Sequence, residues 1–309
     1  MKILRYLITV TLSLLIANNV LSQDLNIDLK KKIKDKISAL KDVKINAYTN
    51  EFNKRISSFI KDNLPNNKYL DFSINTQDYL KPTFSIMSVN EIMKIDSGTI
   101  FNQTSINTHD GDETINIGFG TRKLLNDNTL ILGANAFYDH QLTESHERVG
   151  VGAEAISSLF DLRGNYYNAL SARRTNSEGT IERAMDGWDL RGDYHLPIEQ
   201  DINLFFSAFE FENPEDVSSY KEKGNKYGAS AKLGNFHLEG GYMDDNQEND
   251  AWFGNINYVL NLGSENENTS SLNARSFQDV SDQLYQPVKR ENKIRVVKID
   301  ASGVVVGGF

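Results

Sequence analysis

TLILGANAFYDHQLTESHERVGVGAEAISSLFDLRGNYYNAL, residues 129–170, breaks into three segments that each alternate in polarity. In Glu147–Ser157 one parity carries Val149, Val151, Ala153 and Ala155, and the other carries Arg148, Gly150, Gly152 and Glu154. In Leu159–Leu170 one parity carries Phe160, Leu162, Gly164 and Tyr166, against Asp161, Arg163 and Asn165. A period of two sends successive side chains to opposite faces of a sheet. A soluble domain also alternates in this way, so alternation leaves two environments open. Strand length, loop asymmetry and the head of the chain choose between them.

Apolar residues make up 39% of the 309 residues, and the mean hydropathy is −0.46. These values exclude a bundle of membrane helices. They do not exclude a barrel, in which only every second strand residue faces lipid. The net charge of −9 argues against nucleic acid as a partner. With no cysteine there is no disulfide framework, zinc–thiolate site or thiol nucleophile.

Residues 1–22 have the layout of a cleaved secretory signal: Lys2 and Arg5, the apolar run Leu7–Ile16, then Val20 and Ser22 at a small-residue cleavage site. The run is short for the ~20 residues of a membrane-spanning helix. Residues 24–66 place Leu25, Ile27, Leu29, Ile33, Ile37, Leu40 and Val43 among lysines. That spacing predicts an amphipathic helix, with a second from about Asn46 to Asn63 before Pro65. As a periplasmic arm it would touch cell wall or anionic lipid; otherwise it is a solvated helix face.

From Tyr69 onward there are twelve strand-like segments: 69–76, 83–94, 98–108, 114–125, 129–140, 147–157, 159–170, 187–197, 202–212, 226–234, 236–245 and 251–262. Most approach the ~9–11 residues that a tilted strand needs to cross a bilayer, against ~5–6 for an ordinary strand. Adjacent Phe205 and Phe206 predict a bulge or a wrong boundary in the ninth. Connections after even-numbered segments are tight, as at Asp96-Ser97-Gly98 or Asn126-Asp127-Asn128; two on the other side are long, 171–186 and 213–225. Short turns on one side and longer loops on the other are the layout of an outer-membrane barrel. Tyr69, Tyr138, Tyr167, Trp188, Tyr242 and Trp252 near strand ends would fit interfacial girdles. Past Leu262 the alternation stops. Residues 263–276 are polar, Phe277–Leu284 could form one or two helical turns, and Tyr285–Arg295 is a basic extended run.

LGANAFYDHQLTESHERVGVGAEAISSLFDLRGNYYNALS with GWDLRGDYHLP, preceded by INIGFGTRKLLNDNTLILG, resembles the β-domain of inverse autotransporters, the intimin/invasin family. FQDVSDQLYQPVKRENKIRV resembles that family's linker after the barrel. The resemblance implies a twelve-stranded outer-membrane barrel with a periplasmic N-terminus, whose linker returns through the pore to display extracellular, usually adhesive, domains. Asp282–Arg295 is then the pore-threading segment, with Tyr285, Lys289, Arg290, Glu291, Asn292 and Arg295 as its contact residues. Two departures are expected: no passenger domain after Ile299 and no peptidoglycan-binding module before the barrel.

Inward parity gives the lumen a charged lining of Arg122, Arg148, Glu154, Asp161, Arg163, Asp189, Arg191 and Asp193. Mutual pairing, water or the threaded segment could satisfy these groups. Asp139-His140 and Ser145-His146-Glu147 are the residue types of a hydrolase, but neighbours on a strand point to opposite faces and make poor catalytic partners. A metal site from His140, His146 and Glu147 lacks supporting residues to orient it. Gly118, Gly120, Gly150 and Gly152 are strand glycines with no following helix, so they serve curvature or close approach of the plug and not phosphate binding.

The expectation is an all-β, antiparallel up-and-down transmembrane β-barrel at residues 69–262, with signal 1–22, a helical periplasmic segment 23–68 and a linker or plug at 263–309. Its function would be that of an anchor and translocator, with no catalysis and no cofactor. The expected partners are outer-membrane lipid, the barrel-assembly machinery, periplasmic chaperones and a ligand on a host or neighbouring cell. Two other functions stay open, a small pore and a protein that binds through its surface loops.

Overall fold

The structure, a computed structural model, describes residues 65–78, 80–109, 112–176, 179–197, 201–216, 220–247, 250–262, 277–299 and 305–308. The chain divides into two compact units, Met1–Pro65 and Asn66–Phe309, and the described strands all belong to the second. The expected signal and amphipathic helices lie outside the described residues.

Sixteen strands are present among the described residues: β1 (Asn67–Gln77), β2 (Thr83–Ile95), β3 (Gly98–His109), β4 (Asp112–Leu125), β5 (Leu130–Gln141), β6 (Glu147–Ser157), β7 (Phe160–Ala169), β8 (Arg174–Thr175), β9 (Ile181–Ala184), β10 (Asp186–His195), β11 (Ile202–Glu212), β12 (Lys221–Leu233), β13 (Phe236–Asp245), β14 (Ala251–Asn261), β15 (Val296–Ile299) and β16 (Val305–Gly308). Twelve of them form a closed antiparallel barrel. Each barrel strand pairs with its neighbour in the chain, β7 pairs directly with β10, and β1 closes on β14 from Tyr69↔Asn261 to Gln77↔Phe253. Closure leaves no open edge, which a sheet in hydrocarbon cannot tolerate. The four remaining strands make a separate small sheet in the order β16-β15-β9-β8.

Side chains sort by parity, inside out relative to a soluble protein. Phe72, Phe84, Phe119, Val151, Phe206 and Trp252 face outward and are between 41% and 56% exposed, whereas Arg122, Arg148 and Arg163 face inward and are at most 2% exposed. Large exposed apolar groups around enclosed charge place the outer face in lipid and the polar face in the lumen.

Tight turns occupy one rim, called the turn side. Ser97, Asn126, Asp127, Asn128 and Gly234 take positive φ there, a conformation that Asn, Asp and Gly accept at low cost. Long connections occupy the opposite loop side. Because the strand number is even, β1 starts and β14 ends at the turn side.

Three expectations need correction. The Phe205-Phe206 pair causes no bulge, since β11 runs in unbroken register with β10 and β12. Phe205 faces the lumen beneath the Arg191 guanidinium, 4.0 Å from its ring centroid, while Phe206 faces lipid. The tenth barrel strand begins at Lys221 and not at 226, because Lys221–Gly224 continue the ladder opposite Glu212–Phe209 and Lys221 pairs with Glu210 at 2.7 Å. Tyr69 and Tyr167 belong to the lumen and not to a girdle: both are buried, and their hydroxyls donate to Asp71 and Asp189. Within Phe277–Leu284 the helical turn is a single 3-10 turn, Ser281–Gln283, as the sequence allowed.

Candidate functional site

The lumen is a wall of side chains laid against one extended segment, residues 277–299. At the turn side Gln278 N–H donates to Ser158 Oγ (2.9 Å) and Val280 N–H to Asn128 O (2.8 Å). Val280 packs with Ile131 and Ile156. Asp279 accepts from Ser281, whose hydroxyl and N–H hold its carboxyl below the usual carboxylate range, with a smaller contribution from Asn128.

From Leu284 onward the segment has no strand partner in the lumen, so wall side chains take over the ladder's role. Arg122 Nη1 donates to Leu284 O at 2.8 Å and also to Gln286 O. Gln103 grips Val288 from both ends of the peptide, accepting its N–H at 2.7 Å and donating to its carbonyl at 3.3 Å. Asn165 donates to Lys289 O, Arg148 to Glu291 O (2.7 Å) and Asn116 to Asn292 O (3.0 Å), while Glu291 N–H donates to Tyr167 Oη. Leu284 to Arg295 spans at most roughly 36–40 Å, enough for the ~25 Å apolar band of such a barrel.

The segment's charges find wall partners. Arg290 donates to both oxygens of Asp139 (2.8 and 2.6 Å) and lies 4.3 Å from the Phe137 ring centroid. Lys289 reaches Asp193 at 3.0 Å, Lys293 reaches His109 at 2.6 Å, Tyr285 donates to Glu91, and Arg295 pairs with Glu222 and with Glu291.

All eight lining residues named from the sequence lie on the lumen face, yet most pair with the wall itself. Arg122 meets Glu154 at 2.6 Å, and Arg163 meets Asp161 at 3.0 Å and Asp193 at 3.2 Å. Arg191 bridges Asp193 and Glu239, and Asp189 accepts from Asn165 and Tyr167. Only Asp193 takes a charged side chain of the segment; Arg122 and Arg148 reach its carbonyls. Sequence reasoning missed Asp139, Gln103, Asn116, Asn165 and Glu222. Asp139 was legible from parity, because it shares the inward face of β5 with Asn135 and Phe137 while Tyr138 and His140 point out. Nothing in the order of residues marks Gln103.

The glycines divide by role. A Cβ on Gly118 would lie 2.2 Å from the Phe137 ring, and one on Gly120 would lie 2.4 Å from Phe101. Those rings carry Arg290 and Arg122 respectively, so the glycines make room for platforms on which the arginines rest. At Gly150 the close neighbours are Arg290 and Tyr167, both at 3.2 Å. Asp139 faces the lumen and His140 faces outward, while among the described residues no group of three or more His, Cys, Asp or Glu could hold a metal ion.

At the loop side β15 leaves the pore and pairs antiparallel with β9, Val296↔Ala184 to Ile299↔Ile181.

The inverse autotransporter β-domain model matches residues 16–292. Over 132 residues the chain is 32% identical to the inverse autotransporter adhesin YeeJ of Escherichia coli strain K12, covering 41% of this chain and 5% of that protein. Over 103 residues it is 32% identical to invasin of Yersinia enterocolitica, covering 33% and 12%. The chain spans less than half the length of the curated relatives it matches. A solved structure described as "Unveiling the Mechanism Behind the in-meso Crystallization of Membrane Proteins" superposes with a TM-score of 0.63 at 18% identity, covering 74% of this chain and 99% of that one, and supports the fold. With a closed twelve-stranded barrel, a lipid-facing exterior and this match over most of its length, the chain belongs to the family of inverse autotransporter β-domains, barrels of the bacterial outer membrane.

Proposed function

We propose that the barrel anchors the chain in the outer membrane and acts as a translocator whose C-terminal segment crosses the lumen from the periplasm to the cell surface. The turn side then faces the periplasm and the loop side faces outward. One observation carries the reading: carbonyls from Leu284 to Asn292 are capped by wall side chains aimed at an extended chain. In an empty pore water would have to replace each of those bonds to the segment. Export through the inner membrane uses residues 1–22 as a cleaved signal, insertion uses periplasmic chaperones and the barrel-assembly machinery, and the displayed end serves adhesion to a host or neighbouring cell. The role is non-catalytic.

The test is a protease-cleavable tag after Phe309 on intact cells. It should be cut, while a tag in the 126–128 turn should be cut only after the outer membrane is opened. A C-terminal tag protected on intact cells would overturn the direction of threading. A small pore is the second reading, favoured by the polar lumen. It predicts the same steady conductance for the full chain and for one ending at Leu262.

A further inference from the structure

The connection between β7 and β10 is more than a surface loop. It folds into the β8–β9 hairpin, whose free edge takes up β15 just where the segment leaves the barrel. The first bond of that ladder, Met185 N–H to Arg295 O at 3.0 Å, joins the hairpin to the last residue before β15. Val297 is fully enclosed among Tyr167, Met185, Phe209 and Phe211, and Val296 packs with Ala184 and Ile294, so both faces of β15 are covered.

β9 is fastened to the barrel independently of β15. Glu182 accepts from Asn176 (2.9 Å) and lies 3.5 Å from His146 Nε2; His146 Nδ1 lies 3.3 Å from Ser171 Oγ, which accepts the N–H of Glu147 at 3.2 Å. Ser, His and Glu in one line are the residue types of a hydrolase. Here Ser171 and His146 are at most 2% exposed, so no substrate reaches them, and the line acts as a clasp. Arg183 adds a bond to the Ser171 carbonyl and a pair with Glu215 at 3.1 Å on the β11–β12 loop.

We propose that the β8–β9 hairpin is a strand-binding site whose ligand is an extended, β-branched peptide, here Val296–Ile299 of the same chain, and that it works as a catch against backsliding into the pore. This rests on the translocator reading above. Backbone pairing supplies the grip, and enclosed slots for alternate side chains supply the selectivity, as in other cases of strand addition. Four residues suffice because the fastening is already in place and only the arriving strand has to be ordered.

The natural chain has no cysteine, so introduced thiols report without background. In the full chain, Arg183→Cys with Val297→Cys should cross-link under mild oxidation, while Arg174→Cys with Val297→Cys, one strand further away, should not. Arg183→Pro should make Lys298→Cys react several-fold faster with a membrane-impermeant maleimide and turn a quiet pore into an intermittently conducting one, with the C-terminal tag still exposed. Val297→Asp should do the same from the other partner, so a loop misfolded by proline cannot account for both. The barrel itself is checked by its heat-dependent gel mobility. An exposed tag with no 183–297 cross-link, or with unchanged reactivity and conductance in both variants, overturns the catch and leaves export standing. A protected tag in the parent chain counts against export, and the 183–297 cross-link then decides strand binding by itself.

Discussion

Asp139 is approached from two directions, by Arg148 of the wall at 2.8 Å and by Arg290 of the segment at 2.6 Å, with Asn116 donating at 2.7 Å. It is fully enclosed. Asp139→Ala would leave two enclosed guanidinium groups with one carboxylate fewer, a loss of about 3–5 kcal/mol. The seated segment should loosen, and a thiol placed at Val288 should react faster with a small aqueous reagent by about a hundredfold to a few thousandfold. Asp139→Asn keeps an acceptor and should fall between. The Gly118–Phe137–Arg290 stack gives a prediction of another kind. Gly118→Val must push the Phe137 ring off the wall, costing about 1–3 kcal/mol through overpacking. The urea midpoint of the barrel in lipid vesicles should drop, whereas Gly164→Ala, whose nearest neighbour lies at 3.5 Å on the outer face, should change it little.

Strands and segment obey different rules. On the outward face of β6, Val151→Arg meets hydrocarbon and should destabilise the barrel by about 2–4 kcal/mol, read from reversible unfolding in vesicles. At the turn-side end of the segment, Asp279 has its carboxyl pKa lowered by donors from Ser281. A lowered folded value means that its contribution is complete above pH about 4 and is lost as pH falls through the lower folded value. Protease access to residues 277–284 should therefore rise at acid pH, and Asp279→Asn should remove that dependence. The β8–β9 hairpin follows neither rule, being held by the barrel rim and by whatever strand it meets.

For the molecule as a whole, a polar tube closed by its own tail predicts that the chain ending at Leu262 conducts well above the full chain in planar bilayers; equal conductance would remove the plug. Much of this was legible in residues 129–170 and their repeats. Period two, spans near ten residues and sorted connections follow from local steric and solvation demands, so strand count, closure and the lipid face can be read from the chain alone. Parity also assigns Arg122, Arg148 and Arg163 to the lumen, and it assigns Asp139 and Tyr167 there as well; leaving Asp139 out of the lining and placing Tyr167 in a girdle set parity aside. Polarity misled where a ladder continues through charged residues, as at Lys221-Glu222-Lys223, because a strand that rises above the membrane has no need of apolar side chains. Which wall group meets which part of the segment was decided only in three dimensions. Gln103 and Val288 lie 185 positions apart, and their meeting depends on barrel closure and on how far the segment slides along the pore. The pairing of β9 with β15 has the same cause. The sequence by itself determined the barrel, whose pattern is enforced residue by residue by water and lipid; the tertiary structure decided the partners of the tail, because an extended chain carries no periodicity that names its neighbours.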